Sequence, residues 1–157
     1  MEKHTPADIV GQDAVYTEKT IVLVTNQFQC ERIIHAGRLI ADISKTDLLV
    51  LNVQDSKYAP NPNAIQHLFN VSQEKNAVMQ VTYSDNPSKT IINFIKKYKT
   101  QNVLSGMPSS RSSVLQKLWN RFTHIRFFVV DSEGIAQEVV KNQFSFSSLP
   151  ATPTSSR

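Results

Sequence analysis

Five short runs of branched and apolar residues alternate along the chain with four stretches whose apolar positions recur three and four apart, and no other feature limits the possible folds as much. The first run, Ile21-Val22-Leu23-Val24, is apolar at every position, as in a strand covered on both faces. Residues 48–53, 77–83, 102–104 and 124–131 supply the other four. Between them, Ile33, Ile34, Gly37, Ile40 and Ala41 share one face of a helix predicted over 31–43, and Ile65, Leu68, Phe69 and Ser72 share one face of a second. That second helix follows a Pro-Asn loop at 60–63, with Asn61 placed to cap it and Pro62 in its first turn. A third opens at Pro87, capped by Asp85 or Asn86, and turns Ile91, Ile95 and Tyr98 to one side. A fourth, over 110–122, turns Val114, Leu115, Leu118, Trp119 and Phe122 inward. Strands separated by helices pair in parallel, because a parallel neighbour is reached only by a crossover, and right-handed crossovers set helices on both sides of the sheet. The expected fold class is α/β, a doubly wound parallel five-stranded sheet.

After the fifth strand the alternation breaks. Asp131-Ser132-Glu133-Gly134 is a turn signal, and 135–146 alternates loosely, with Val139, Phe144 and Phe146 available for packing, which predicts an appended C-terminal antiparallel β strand. Residues 1–18 lack sustained periodicity and read as an N-terminal arm, 19–147 as the domain, and 148–157, rich in Ser, Thr and Pro, as a disordered tail.

Composition narrows the chemistry. A chain of 157 residues has room for one domain. A domain of that size buries roughly 70% of its unfolded surface and needs neither a disulfide nor a structural metal. The single cysteine, Cys30, allows no intramolecular disulfide, and the N-terminus carries no signal-peptide pattern, so the expected setting is reducing and cytoplasmic. No apolar run approaches the about 20 residues of a transmembrane helix. The four glycines, Gly11, Gly37, Gly106 and Gly134, are too far apart for a dinucleotide G-x-G-x-x-G fingerprint or a Walker loop. G-x-S-x-G and H-E-x-x-H are also absent, and His4, His35, His67 and His124 have no zinc-type spacing. Cys30, at the start of the first helix near Arg32, has no neighbouring His or second Cys and reads as an inert thiol. The formal charge of +4 is uneven, since residues 86–130 hold eight basic side chains and no acidic one. They read as the solvated faces of two helices; nucleic acid or acidic lipid is the alternative, and nucleic acid lacks a supporting motif.

Ligands of doubly wound sheets sit beyond the carboxyl ends of the strands, where strand order reverses, which selects the loops 25–29, 54–61 and 106–113. Three segments around these loops carry a likeness. They are I-V-L-V-T-N-Q-F-Q-C-E-R-I-I-H-A-G-R-L-I-A, N-P-S-K-T-I-I-N-F-I-K-K-Y-K-T-Q-N-V-L-S-G-M-P and S-S-R-S-S-V-L-Q-K-L-W. In order and length they resemble the universal stress protein family, and especially the universal stress domain of potassium-responsive sensor histidine kinases. The resemblance implies an adenine nucleotide α-hydrolase-like sheet of order 3-2-1-4-5, frequent homodimers, and a role in stress response or signalling.

It also implies a nucleotide site for comparison. ATP-binding members of the family use an Asp at the end of the first strand, backbone groups after the second, and a G-x2-G-x9-G-[ST] stretch around the phosphates. Here Asn26 stands in place of the Asp, Gly106 keeps the first glycine, Ser109 replaces the second, and Trp119 and Asn120 fall where the last pair belongs. What remains is an anion site in outline. Ser109, Ser110, Ser112 and Ser113 offer hydroxyls, Arg111 a charge, and the following helix its free N–H groups; in the plainer alternative one serine caps the helix and the others are solvated. With Thr25, Asn26, Asn52, Val53 and Gly106 these residues are the expected contacts for ATP or another adenine nucleotide, held weakly if at all. No nucleophile, base and orienter set is visible, so the expectation is a non-enzymatic regulatory module acting through association with its own copies or a signalling protein. An ATP-binding or slowly ATP-hydrolysing protein and a basic anion-binding module are the alternatives.

Overall fold

The computed structural model of the chain describes residues 16–57, 59–108 and 113–140. Along it run β1 (Lys19–Val24), a 3-10 turn (Phe28–Cys30), α1 (Glu31–Ser44), β2 (Asp47–Gln54), α2 (Pro62–Glu74), β3 (Val78–Tyr83), α3 (Pro87–Lys97), β4 (Thr100–Gly106), α4 (Ser113–Arg121), β5 (Arg126–Val130) and β6 (Ala136–Glu138). The strands form one sheet in the order β3-β2-β1-β4-β5-β6. Every pair is parallel except β5 with β6. The doubly wound α/β sheet, its order and its appended antiparallel strand are therefore those expected.

Strand alternation divides the core in two. Val22, Val24, Val50, Leu104, Phe128 and Val130 point to the side covered by α1 and α2, while Ile21, Leu49, Leu51, Val103, Phe127 and Val129 point to the side covered by α3 and α4. The helices start where their polar residues can satisfy free backbone amides: Asn61 Oδ1 accepts from the Ala64 amide at 3.2 Å and Asn86 Oδ1 from that of Lys89 at 3.3 Å. Of the two candidates for the second cap, Asn86 is the one used. α1 lies nearest the sheet at Gly37, where a Cβ would overlap the Val22 side chain and stand 3.1 Å from Leu48 Cδ1.

Some boundaries differ from expectation. β4 runs from Thr100 to Gly106 rather than over 102–104, because Thr100 pairs with Lys19 of β1 at one end and Ser105 and Gly106 pair with Val129 and Val130 of β5 at the other. Thr100 Oγ1 donates to the Ile95 carbonyl at 2.9 Å, and the buried Asn102 donates to Thr20 Oγ1 and Ser44 Oγ, each at 3.0 Å. Phe69 is 39% exposed, and Ala64, Leu68, Val71 and Ser72 make the buried face of α2. Phe94 joins Ile91 and Ile95 on the inward face of α3, and Tyr98, just past the helix in extended conformation, packs at the margin of the same core with its ring 5.1 Å from that of Phe94. The 131–134 turn closes around Asp131, whose Oδ1 accepts from the amides of Glu133 and Ile135, both at 2.9 Å, with Gly134 at φ +85. Residues 141–146 of the expected last strand, with Phe144 and Phe146, lie outside the described residues, as do 1–15 and 148–157.

Candidate functional site

β1 passes into α1 on one side of the sheet and β4 into α4 on the other, so the tips of β1 and β4 are the point at which strand order reverses, where ligands of such sheets sit. One wall is built from amides. Asn52 and Gln54 are two apart on β2, hence on one face, and Asn26 follows β1 beside them. Asn26 Oδ1 accepts from Asn52 Nδ2 at 3.1 Å and from Gln54 Nε2 at 2.6 Å, and Asn26 Nδ2 donates to Gln54 Oε1 at 3.0 Å. Gln54 Nε2 also donates to Asn52 Oδ1, and Asn52 Nδ2 to the Val24 carbonyl at 3.1 Å. Asn52 is wholly buried and Gln54 nearly so. The three side chains saturate one another, which is how buried amides avoid the penalty of unmade hydrogen bonds. Asn61 adds a donor, its Nδ2 lying 3.4 Å from the Asn26 carbonyl.

The other side carries a cation. Arg32, in the first turn of α1, donates from Nε to the Asp131 carbonyl and from Nη1 to the Gln29 carbonyl, both at 2.7 Å. A Cβ placed on Gly106 would stand 3.5 Å from Arg32 Nη2. The guanidinium therefore spans the tips of β4 and β5 beside the residue that opens the 106–113 loop. At the outer rim, His67 Nε2 lies 2.6 Å from Glu31 Oε1 and its ring 5.2 Å from that of Phe28, tying α2 to the start of α1. Thr25 Oγ1 is 3.4 Å from the buried Cys30 sulfur.

Of the residues expected at the site, Thr25, Asn26, Asn52 and Gly106 meet at these strand tips. Val53 turns its side chain away, to the α3/α4 side of the sheet. Ser113 is the first residue of α4, while Ser109, Ser110, Arg111 and Ser112 lie outside the described residues. Gln54 and Arg32 are additions. Gln54 was detectable as a polar residue two places after Asn52 on an otherwise apolar strand, whereas Arg32 gave no such sign, since its bonding partner Asp131 is 99 residues away. Among the described residues no cluster of three His, Cys, Asp or Glu side chains could hold a metal ion, and no helix is long and apolar enough to cross a membrane.

No family profile matches the sequence, and no curated protein does. Solved structures do match the fold. A universal stress protein in complex with cAMP superposes with a TM-score of 0.55 at 14% identity, over 76% of this chain and 99% of its own length. A universal stress protein from Archaeoglobus fulgidus superposes with a TM-score of 0.55 at 10% identity, over 74% of this chain and 93% of its own. The chain has the fold of universal stress proteins.

Proposed function

We propose that the chain is a universal stress-type regulatory module that works by association, and that its strand-tip site takes an adenine nucleotide with a single phosphate in preference to metal-bound ATP. The Asn26–Asn52–Gln54 network carries this reading. At the position where ATP-binding members of the family keep an Asp, the wall offers neutral amides already bonded to one another, which bind a hard cation poorly. Arg32 beside Gly106 is a charge matched to one phosphate, and one of the structural neighbours is a complex with cAMP. The finer likeness to the sensor-kinase domain is supported by the sequence segments alone. A homodimer, a signalling partner, a cytoplasmic setting and the 19–147 domain bounds belong to the same proposal.

Thermal shift with AMP, cAMP and ATP, each with and without magnesium, tests the ligand. A ligand at a hundredfold excess over its Kd stabilises the folded state by about 2.7 kcal/mol. AMP or cAMP is expected to raise the Tm without regard to magnesium. A shift produced by ATP alone and dependent on magnesium overturns the reading.

A further inference from the structure

The two edges of the sheet are unequal. β6 is three residues long and carries the Arg126–Glu138 ion pair, Nη2 to Oε1 at 2.8 Å. β3 is six residues long, Val78-Met79-Gln80-Val81-Thr82-Tyr83, with no charge, proline or glycine, and among the described residues its only strand neighbour is β2. Edge strands normally carry a lysine, a proline, a bulge or a cover, because their unpaired N–H and C=O groups template a further strand. β3 has none of the first three.

We propose that β3 is the surface through which a second copy of this chain associates, antiparallel about a two-fold axis at Val81. The phase is set by the Ser84 amide, which donates to the Gln54 carbonyl at 2.9 Å. By alternation, residues 78, 80 and 82 turn their backbone groups to β2, and Met79, Val81 and Tyr83 turn theirs to the open side. A register that pairs these three with one another leaves none of them unmatched in either copy. Centred on Val81, it sets Met79 opposite the partner's Tyr83, Val81 opposite its counterpart, and Gln80 opposite the partner's Thr82. The α1/α2 side of the seam becomes an unbroken apolar row and the other side a polar one. Met79 is buried beneath α2, Val81 packs at the core margin, and Tyr83 is 82% exposed, the largest value among the exposed apolar side chains described. Thioether against ring and Val against Val are favourable cross-strand pairs. Glu74 and Lys75 precede the strand and Asp85 follows it, so antiparallel alignment brings Lys75 of each copy, with Glu74 beside it, to the end where the other's aspartate lies. An isologous contact needs this self-complementarity. β5, by contrast, already has its outer edge filled by β6.

The inference rests on the association part of the proposed function and is independent of the ligand. Sedimentation equilibrium of the full chain is expected to give a dimer, and Tyr83→Lys, which alters an exposed side chain and leaves the core intact, is expected to halve the mass while keeping any nucleotide-induced thermal shift. Val81→Cys is expected to cross-link to itself under mild oxidation, since hydrogen-bonded antiparallel pairs stand about 5.5 Å apart at Cα, within disulfide range. The wild-type chain, with only the buried Cys30, supplies the background. A chain that is monomeric up to its solubility limit overturns the inference. So does a dimer indifferent to Tyr83→Lys that fails to cross-link at residue 81, or a dimer that forms only after residues 1–15 are deleted, which would show the arm occupying this edge. A confirmed β3 seam without a nucleotide shift would sink the ligand reading alone.

Discussion

Gly37 is the point at which α1 and β1 touch, and the helix can lie so low only because that residue has no side chain. Gly37→Ala pushes a methyl group into Val22 and against Leu48. It is expected to lower stability by about 1–3 kcal/mol, read as a lower urea midpoint with unchanged slope. In the sequence Gly37 reads only as one more position on a helix face, because the side chains it would strike belong to other elements. Asn26 is the opposite case. Its lack of charge is legible from the sequence, but not its bonds to Asn52 and Gln54, which are 26 and 28 residues away. Asn26→Asp keeps the acceptors and removes the donor to Gln54 Oε1. Titration calorimetry is expected to show affinity for magnesium-ATP rising, while stability falls by about 1–3 kcal/mol as an acceptor is left facing a carboxylate.

Among the elements, β6 is the least secured. Besides its backbone bonds to β5, it is held by the Arg126–Glu138 pair and by Val139, whose amide donates to the Phe127 carbonyl at 2.7 Å. The hydrogen bond from Arg126 holds the Glu138 carboxyl below its ordinary range. A group lowered in the folded state stabilises above its unfolded pKa and loses that contribution as pH falls through the folded value. Both side chains are well exposed, so the contribution is screened and amounts to about 0.2–1 kcal/mol. Glu138→Gln should be less stable than the wild type at neutral pH and equal to it in acid below the carboxylate range, as denaturant melts at both pH values would show. Deleting 134–157 uncovers the edge of β5, and light scattering is expected to give a mass above that of the full chain; an unchanged mass would show that β5 does not self-pair. The elements with apolar runs were legible because burial on both faces leaves a local signature. β4 was legible only in its centre, since Thr100 and Gln101 before it and Ser105 and Gly106 after it are polar residues and a glycine that break the apolar run.

At the scale of the whole molecule, alternation predicts a parallel sheet with helices on both sides but cannot order the strands, since every order of parallel strands has the same local pattern. The order 3-2-1-4-5 came from the family resemblance, and the sheet has it, with β6 added beyond β5. The basic stretch acquires a place in three dimensions. Lys89, Lys96, Lys117 and Arg121 are exposed residues of α3 and α4, the two helices on one side of the sheet, while Arg126 is paired with Glu138. The candidate site lies at the carboxyl ends of the strands, where, among the described residues, the fold brings in Arg32 as a cation. Its placement depends on β5 meeting the first turn of α1, a long-range consequence of topology that no local stretch of sequence announces.

The amide wall at the tips of β1 and β2 has one further property. Asn26, Asn52 and Gln54 neither gain nor lose protons at any pH the fold survives, so that wall keeps the same polarity in acid and in alkali. Recognition there proceeds by shape and by the direction of lone pairs, and any acidity dependence contributed by that surface must come from the bound molecule.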